Sequence, residues 1–308
     1  MNTRYYDIVV CGAGPAGLTA AIYARRAGKS VMILEKSTFG GQITHSPKVE
    51  NYPGFAEISG NELADIFMDQ AINCGAELDV DEVLDIIDTG ARKIVVTASE
   101  TEYSAGAVII AAGAKHRQLG LKREDELTGH GVSYCVLCDG AFFQGKDVAV
   151  IGGGNSALQD AVQLSEICKK VTVVQNLGFL TGENSLIETL KTRSNVEFIF
   201  NNVVSGLEGD TDLTAITLQD TTTGNQMRLP VHGIFVAIGQ EPENTPFAGV
   251  TKIDERGYIV SGEDCLTGTQ GIYVAGDCRT KQVRQVTTAT GDGASAALAA
   301  CRYLDSIK

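Results

Sequence analysis

The stretch Tyr5–Lys36, "YYDIVVCGAGPAGLTAAIYARRAGKSVMILEK", decides the fold. An apolar run, "DIVVC", ends in a glycine turn, an alanine-rich segment follows, and a second apolar run, "SVMILE", closes the unit. That order reads as a buried strand, a tight turn, a helix and a parallel strand. Gly12, Gly14 and Gly17 have G-x-G-x-x-G spacing, Pro15 suits the first helical turn, and Glu35 ends the next strand about 20 residues later. Glycines there let a pyrophosphate approach the backbone, the helix N-terminus offers unpaired N–H groups, and an acid at the strand end accepts from a ribose. Spacing alone leaves NAD, FAD and a nucleotide-free turn of the same shape all open.

The same plan recurs in mid-chain as "GKDVAVIGGGNSALQDAVQLSEICKKVTVVQN". The expected fold class is therefore α/β, with two dinucleotide-binding (Rossmann-like) domains. Two later apolar strands assign the rest. "GIFVAIGQEPEN" closes the second unit, whereas "GIYVAGDC" near the C-terminus reads as the returning strand of the first. The second domain, 115–246, is thus expected to be inserted into a first domain made of 1–114 and 247–308. Linkers near "AGAKHRQL" and "EPENTPF" then form a paired, two-stranded hinge.

A chain of 308 residues exceeds one ordinary core and matches that two-domain reading. Its net charge of −13 argues against nucleic acid as a partner, because a phosphate backbone calls for a basic face. No apolar run has the length of a membrane span, and "MNTRYYDIVVCGAG" enters a strand too early for a signal peptide, so a cytosolic protein is expected. Cys11, Cys74, Cys168, Cys265, Cys278 and Cys301 lie in apolar or helical surroundings and read as small buried hydrophobes.

The remaining pair, in "SYCVLCDG", carries the sharpest chemical signal. Cys135 and Cys138 lie one helical turn apart, which puts both sulfurs on one face within bridging distance. A structural zinc site needs four ligands, yet no second close pair exists and His45, His116, His130 and His232 are scattered. The pair therefore reads as a redox dithiol, with no metal expected. Asp139 next to it is either a helix cap or a proton carrier for the thiols, or both.

Seven segments, "CGAGPAGLTAAIYARRAG", "GGQI", "VENYPGF", "GVSYCVLCDG", "VAIGQEP", "GIYVAGD" and "RQVTTATGDGASAALAA", occur in the order found in the low-molecular-weight thioredoxin reductases, which the chain resembles over essentially its whole length. The resemblance implies that the first site holds FAD. It places Gly40, Gly41 and Gln42, Asn51, Asp277, and Arg284, Gln285 and Val286 near that cofactor, with Asp277 on the ribitol. Ala16 and Lys36 beside the first motif, Ala112 and Gly113 after "AVIIA", and Gly276 complete the candidate set. It further implies that Cys138 faces the flavin, that Cys135 attacks thioredoxin, that Asp139 serves as acid and base, and that the protein is a homodimer.

The second glycine turn keeps Gly152, Gly154 and Ala157, although such glycines are needed merely to pack helix on strand. Members of the family that use NADPH carry His-Arg-Arg where this chain has Gln175, Asn176 and Leu177, and a further arginine near Thr181. Within that resemblance the chain is most like the ferredoxin-dependent flavin thioredoxin reductases, which lack these arginines. Ferredoxin is accordingly the expected donor. NADPH-dependent reduction, a flavin-dependent dithiol oxidase and a non-catalytic flavin sensor are the alternatives. Docking of an acidic ferredoxin calls for a basic patch, with Lys115, Arg117, Lys122 and Arg123 as one candidate and Arg279, Lys281 and Arg284 as the other.

Overall fold

The computed structural model describes residues 3–46 and 49–307. Met1 and Lys308, the ends of the expected first domain, lie outside them. The opening stretch folds around its glycines: β1 (Thr3–Cys11) runs into the turn, α1 (Pro15–Arg26) leaves it, and β2 (Val31–Glu35) returns parallel to β1 with Leu34 opposite Cys11. Ile8, Val9, Val10 and Ile33 are wholly buried, as a parallel strand covered on both faces requires. α2 (Gly60–Asn73) starts at a capping box, in which the Glu62 N–H donates to Ser59 Oγ at 3.2 Å and the Ser59 N–H to Glu62 Oε2 at 3.1 Å. β3 (Glu77–Val80) then joins the sheet beside β2. β4 (Val83–Asp88), β5 (Lys93–Thr97) and β6 (Glu102–Ile110) form an antiparallel meander whose last strand lies parallel to β1.

After β6 the chain enters its second unit through β7 (Lys115–His116). There follow α3 (Glu124–Leu127), β8 (Val132–Ser133), α4 (Val136–Asp139), β9 (Asp147–Ile151), α5 (Asn155–Ile167), β10 (Lys170–Val174), α6 (Asn184–Lys191) and β11 (Val196–Ile199). β12 (Asn202–Glu208), β13 (Ala215–Asp220) and β14 (Gln226–Pro230) make a separate antiparallel sheet, and β15 (Gly233–Val236) rejoins the parallel one, whose order is β11-β10-β9-β15-β8. β16 (Gln240–Glu241) pairs with β7, so the outgoing and returning linkers form a two-stranded ribbon. β17 (Ile272–Val274) then docks parallel on β6, and α7 (Val286–Ser306) covers the first sheet. Its approach to α1 depends on Gly293, where a Cβ would stand 2.2 Å from the Ala16 carbonyl oxygen.

The chain divides into one compact unit up to Lys115 and from Glu241 onward, and another from His116 to Gln240. The second crossing therefore falls six residues before the 246/247 boundary read from sequence. Segment 241–247 belongs to the first unit for a packing reason: Asn244 donates to the Gly257 and Cys278 carbonyls, both at 2.8 Å, Glu243 pairs with Lys36 and Lys115, and Phe247 is 3% exposed in the core. Among the described residues no helix is long and apolar enough to cross a membrane. Cys11, Cys168, Cys265, Cys278 and Cys301 are buried as expected, and Cys74 is half-buried.

Candidate cofactor cradle and redox pair

The first glycine turn is shaped by two different demands. A Cβ on Gly12 would lie 2.3 Å from the Ala111 carbonyl oxygen and one on Gly17 only 1.9 Å from that of Gly12, so protein packing excludes side chains there. At Gly14 the nearest atom to a Cβ, the Gly40 oxygen, is 4.0 Å away, and its φ of −77° suits any residue. Nothing in the chain demands glycine at this position, whereas the close approach of a ligand does. Glu35 is tied into the same turn, accepting the Ala13 N–H at 2.9 Å.

Four of the other candidates, Gly40, Gly41, Ala112 and Gly276, meet this turn. Gly40, at φ 100°, donates to the Ala13 carbonyl at 2.9 Å, and a Cβ on Gly41 would meet the Gly14 Cα at 3.3 Å. Ala112 passes beside Gly12, a Cβ on Gly276 would meet that of Ala16 at 2.9 Å, and Asn51 donates to Gln285 Oε1 at 3.2 Å. Gln42 is exposed, Gly113 has a φ of 69°, and Val286 opens α7. Asp277 Oδ1 is buried with no partner, and burial pushes that carboxyl above the usual range. An orphaned acceptor beside a glycine cradle fits a ligand hydroxyl, so these residues fit FAD: Gly12–Gly17 would hold its pyrophosphate, Glu35 its ribose and Asp277 its ribitol. Lys36 is the exception, because its ammonium is paired with Glu243.

The second proposed basic cluster is not a surface patch. Arg279 is 1% exposed and holds Asp292 bidentately at 2.8 Å, while Lys281 reaches the same carboxylate at 2.9 Å. Arg284 lies over the Tyr258 ring, 4.2 Å from its centroid, and donates to the Asp277 and Arg279 carbonyls. Two positive charges in "CRTKQVRQ" are thus neutralised by an acid from α7 that sequence reasoning missed; its one signal was a lone carboxylate in the small-residue run "TGDGASAALAA". Burial raises the proton affinity of Asp292, but the bonds from Arg279 and Lys281 outweigh it and hold the carboxyl below its ordinary range. A depressed carboxyl stabilises the fold above its unfolded pKa and loses that contribution as pH falls through its folded value. Asp292→Asn is expected to lower the unfolding free energy by about 3–5 kcal/mol at neutral pH, since it removes the buried counter-charge of Arg279 and Lys281 and leaves Arg279 only the exposed Glu263 carboxylate at 3.2 Å. Denaturant titration checks this, and the gap to the parent protein should narrow below about pH 4. In the other basic cluster, Lys115 pairs with Glu243 at 3.0 Å and Arg123 with Glu126 at 2.8 Å.

Cys135 and Cys138 form a disulfide across the first turn of α4, with Cα atoms 5.3 Å apart, and both are half-buried. Cys135 Sγ accepts the Cys138 N–H at 3.2 Å, a contact that favours negative charge on that sulfur. Asp139 follows on the same turn. Its Oδ2 accepts the Ser133 hydroxyl at 2.6 Å, and its Oδ1 is buried with no partner. Burial pushes this carboxyl upward, and the Ser133 hydroxyl pulls it the other way. Tyr134, just before Cys135, donates to buried Glu124 at 2.8 Å, whose carboxylate also accepts the N–H groups of Leu119, Gly120 and Leu121. Ser133 and Glu124 were not singled out in the sequence. A serine two residues before a redox cysteine was the available signal for the first, whereas Glu124 lay unmarked in the acidic run "EDEL".

The second glycine turn has Asn155 and Ala157 where the first has Pro15 and Gly17, and it departs most in chemistry at the end of its second strand. Val174 lies opposite Ile151 as Leu34 lies opposite Cys11, which makes Gln175 the counterpart of Glu35. Gln175 is 5% exposed and turned inward: its Nε2 donates to the Phe179 carbonyl at 3.3 Å, its Oε1 accepts the Asn176 N–H at 3.1 Å, and its amide carbon stands 2.6 Å from where Gly153 would carry a Cβ. Thr181 and Gly182 both donate to the Gly153 carbonyl, and the Glu183 carboxylate is held by Asn155 at the start of α5. Residues 175–183 contain no lysine or arginine.

The sequence profile of the family described as "Pyridine nucleotide-disulphide oxidoreductase" matches residues 6–293. The thioredoxin reductase of Listeria innocua is 41% identical over 306 residues, covering 99% of this chain and 96% of that protein. That of Bacillus subtilis is 40% identical with the same coverage. The crystal structure of the thioredoxin reductase from Streptococcus pyogenes superposes with a TM-score of 0.94 at 38% identity, over 99% of this chain and all of that one. A glycine cradle with an orphaned buried acid, a bridged cysteine pair and full-length similarity of this order lead to one conclusion: the chain belongs to the pyridine nucleotide-disulphide oxidoreductases and, among them, to the FAD-binding low-molecular-weight thioredoxin reductases.

Proposed function

We propose that this chain reduces the disulfide of a thioredoxin through Cys135 and Cys138, and that its electrons come from a carrier of the ferredoxin type. The observation that carries the first part is the Cys135–Cys138 disulfide with the unpartnered Asp139 carboxylate oxygen on the same helical turn. Bound FAD supplies the electrons that open this disulfide. In the dithiol form the Cys135 thiol passes its proton to Asp139, and the thiolate attacks one partner sulfur, forming a mixed disulfide. The other partner sulfur departs and takes the proton back from Asp139. Cys138 then gives up its own proton and its thiolate attacks Cys135 Sγ, which restores the internal disulfide, while the partner's second sulfur departs and takes up that proton. Cys135 is the attacking sulfur in this reading because it accepts the Cys138 N–H and so carries negative charge at lower cost. Anaerobic enzyme reduced with dithionite, then mixed with oxidised thioredoxin, should yield a pair of thioredoxin thiols in one turnover without any nicotinamide. If no thioredoxin thiol appears, the reading fails whatever the physiological donor.

For the donor, support comes from the neutral, inward-turned Gln175 and the absence of basic residues in 175–183. Reduction by a pyridine nucleotide is the second reading. The family description and the retained Gly152–Gly154 turn favour it.

A further inference from the structure

Ser133 is 3% exposed on β8, and its hydroxyl stands between the two groups that the exchange chemistry needs. It donates to Asp139 Oδ2 at 2.6 Å and accepts the Cys135 N–H at 3.1 Å. A hydroxyl has one proton to give, and with the carboxylate oxygen at 2.6 Å against 3.4 Å for the Cys135 carbonyl it goes to Asp139. The bond fixes the carboxylate by one oxygen, so the other, Oδ1, stays buried and free of protein partners. The same hydroxyl holds the backbone of Cys135, which ties the position of the acid to that of the attacking sulfur.

We propose that Ser133 is a positioning residue for thiol–disulfide exchange: it aims Asp139 Oδ1 as the proton acceptor for Cys135. This rests on the exchange role given to Asp139 above. The balance of the step is unchanged, with the Cys135 proton moving to Oδ1 and on to the departing partner sulfur. A hydrogen bond donated to a carboxylate favours its charged form, and loss of that donor in a buried setting raises the pKa. The direction fits the causes acting on Asp139, where burial raises the carboxyl and the Ser133 hydroxyl opposes it. α4 packs against α5 and against the 3-10 turn Gly140–Phe143, which has no titratable side chain. α5 carries Asp160, raised by burial to about 7, and Glu166, which pairs with Arg193 at 3.2 Å. Tyr134, next to Cys135, stacks on His116 with ring centroids 5.3 Å apart, and burial pulls that imidazole below its ordinary value, so Asp160 and His116 are the other titrating groups to separate from Asp139.

The test follows single-turnover exchange between dithionite-reduced, FAD-loaded enzyme and oxidised thioredoxin across pH, with acid quench and thiol labelling. No physiological donor enters this assay. In Ser133→Ala the acidic limb of the rate profile should move up by about 1–2 pH units, with the plateau above it within about twofold of the parent protein. Ser133→Thr, which retains the hydroxyl, should keep the limb in place. Asp160→Asn should leave the Ser133→Ala shift intact, and Asp139→Asn should remove it. An unmoved limb in Ser133→Ala, with Asp139→Asn still removing the limb, overturns the role of Ser133 and leaves that of Asp139 standing. A limb that survives Asp139→Asn overturns both. Equal shifts in Ser133→Thr and Ser133→Ala, or a shift that disappears with Asp160→Asn, assign the effect to packing or to Asp160 and overturn the proposal.

Discussion

Cys138→Ser is expected to abolish thioredoxin reduction, with turnover lower by several orders of magnitude, and to convert the enzyme into a covalent trap. The geometry sets the asymmetry between the two cysteines. Both sulfurs lie on one helical turn, bridged with their Cα atoms 5.3 Å apart, so Cys138 is placed to displace a partner from Cys135 as soon as a mixed disulfide forms. Removing it deletes that displacement and leaves the attack itself intact. Oxidised thioredoxin retains its own second thiol, which reverses the attack, so trapping by it should be partial. A single-cysteine thioredoxin activated as its thionitrobenzoate mixed disulfide has no such escape. It should release one equivalent of thionitrobenzoate and stay attached through Cys135, visible as a shifted band on a non-reducing gel. Cys135→Ser should also stop turnover but trap far less of the same probe. Full thioredoxin reduction by either variant would end the dithiol mechanism, and equal trapping by both would reverse the assignment of roles.

The glycines made the fold legible because each meets a demand visible in one dimension. Gly12 and Gly17 sit where any side chain strikes backbone, and the apolar runs on either side can only be buried strands. The return of "GIYVAGDC" to the first sheet was legible for the same reason, since β17 is wholly apolar and docks on β6. What sequence could not convey was direction. Gln175 was readable as the residue in the ribose-reading position, but not that its amide would turn inward and be consumed by Phe179 and Asn176. Arg279 and Lys281 read as surface charge because their counter-ion, Asp292, lies on a helix that the pattern marks only by its small residues. The domain boundary was displaced by Asn244, a polar side chain that looks like linker and acts as a buried clamp. Ser133 escaped because a serine in a strand carries no motif, and its meaning appears only at 2.6 Å from Asp139.

Reduced ferredoxin is expected to bleach the bound flavin anaerobically and to sustain thioredoxin reduction, while micromolar NADPH does neither. The magnitude follows from the charges that are missing. A hydrogen bond to a charged group contributes about 1.5–3 kcal/mol, so three arginine contacts to a 2′-phosphate amount to roughly 4–9 kcal/mol if additive. They do not add fully, yet about 4 kcal/mol already corresponds to a thousandfold, enough to move a micromolar cofactor to millimolar binding. Residues 175–183 of this chain offer no lysine or arginine for such contacts, and Glu183 is held by Asn155 at the start of α5. NADH avoids the phosphate penalty but meets Gln175, whose amide must first leave Phe179 and Asn176 before it can face a ribose. A one-electron protein donor needs none of these contacts. It needs a docking face, and with Arg279 and Lys281 committed to Asp292 that face has to draw on other charges, the exposed Lys122 among them. Charge-steered docking of that kind weakens as salt screens it, so the ferredoxin-supported rate should fall between low and physiological ionic strength. Stopped-flow bleaching of the flavin with each donor in turn decides the matter: rapid bleaching by micromolar NADPH, with ferredoxin inert, would return the chain to pyridine-nucleotide-dependent reduction.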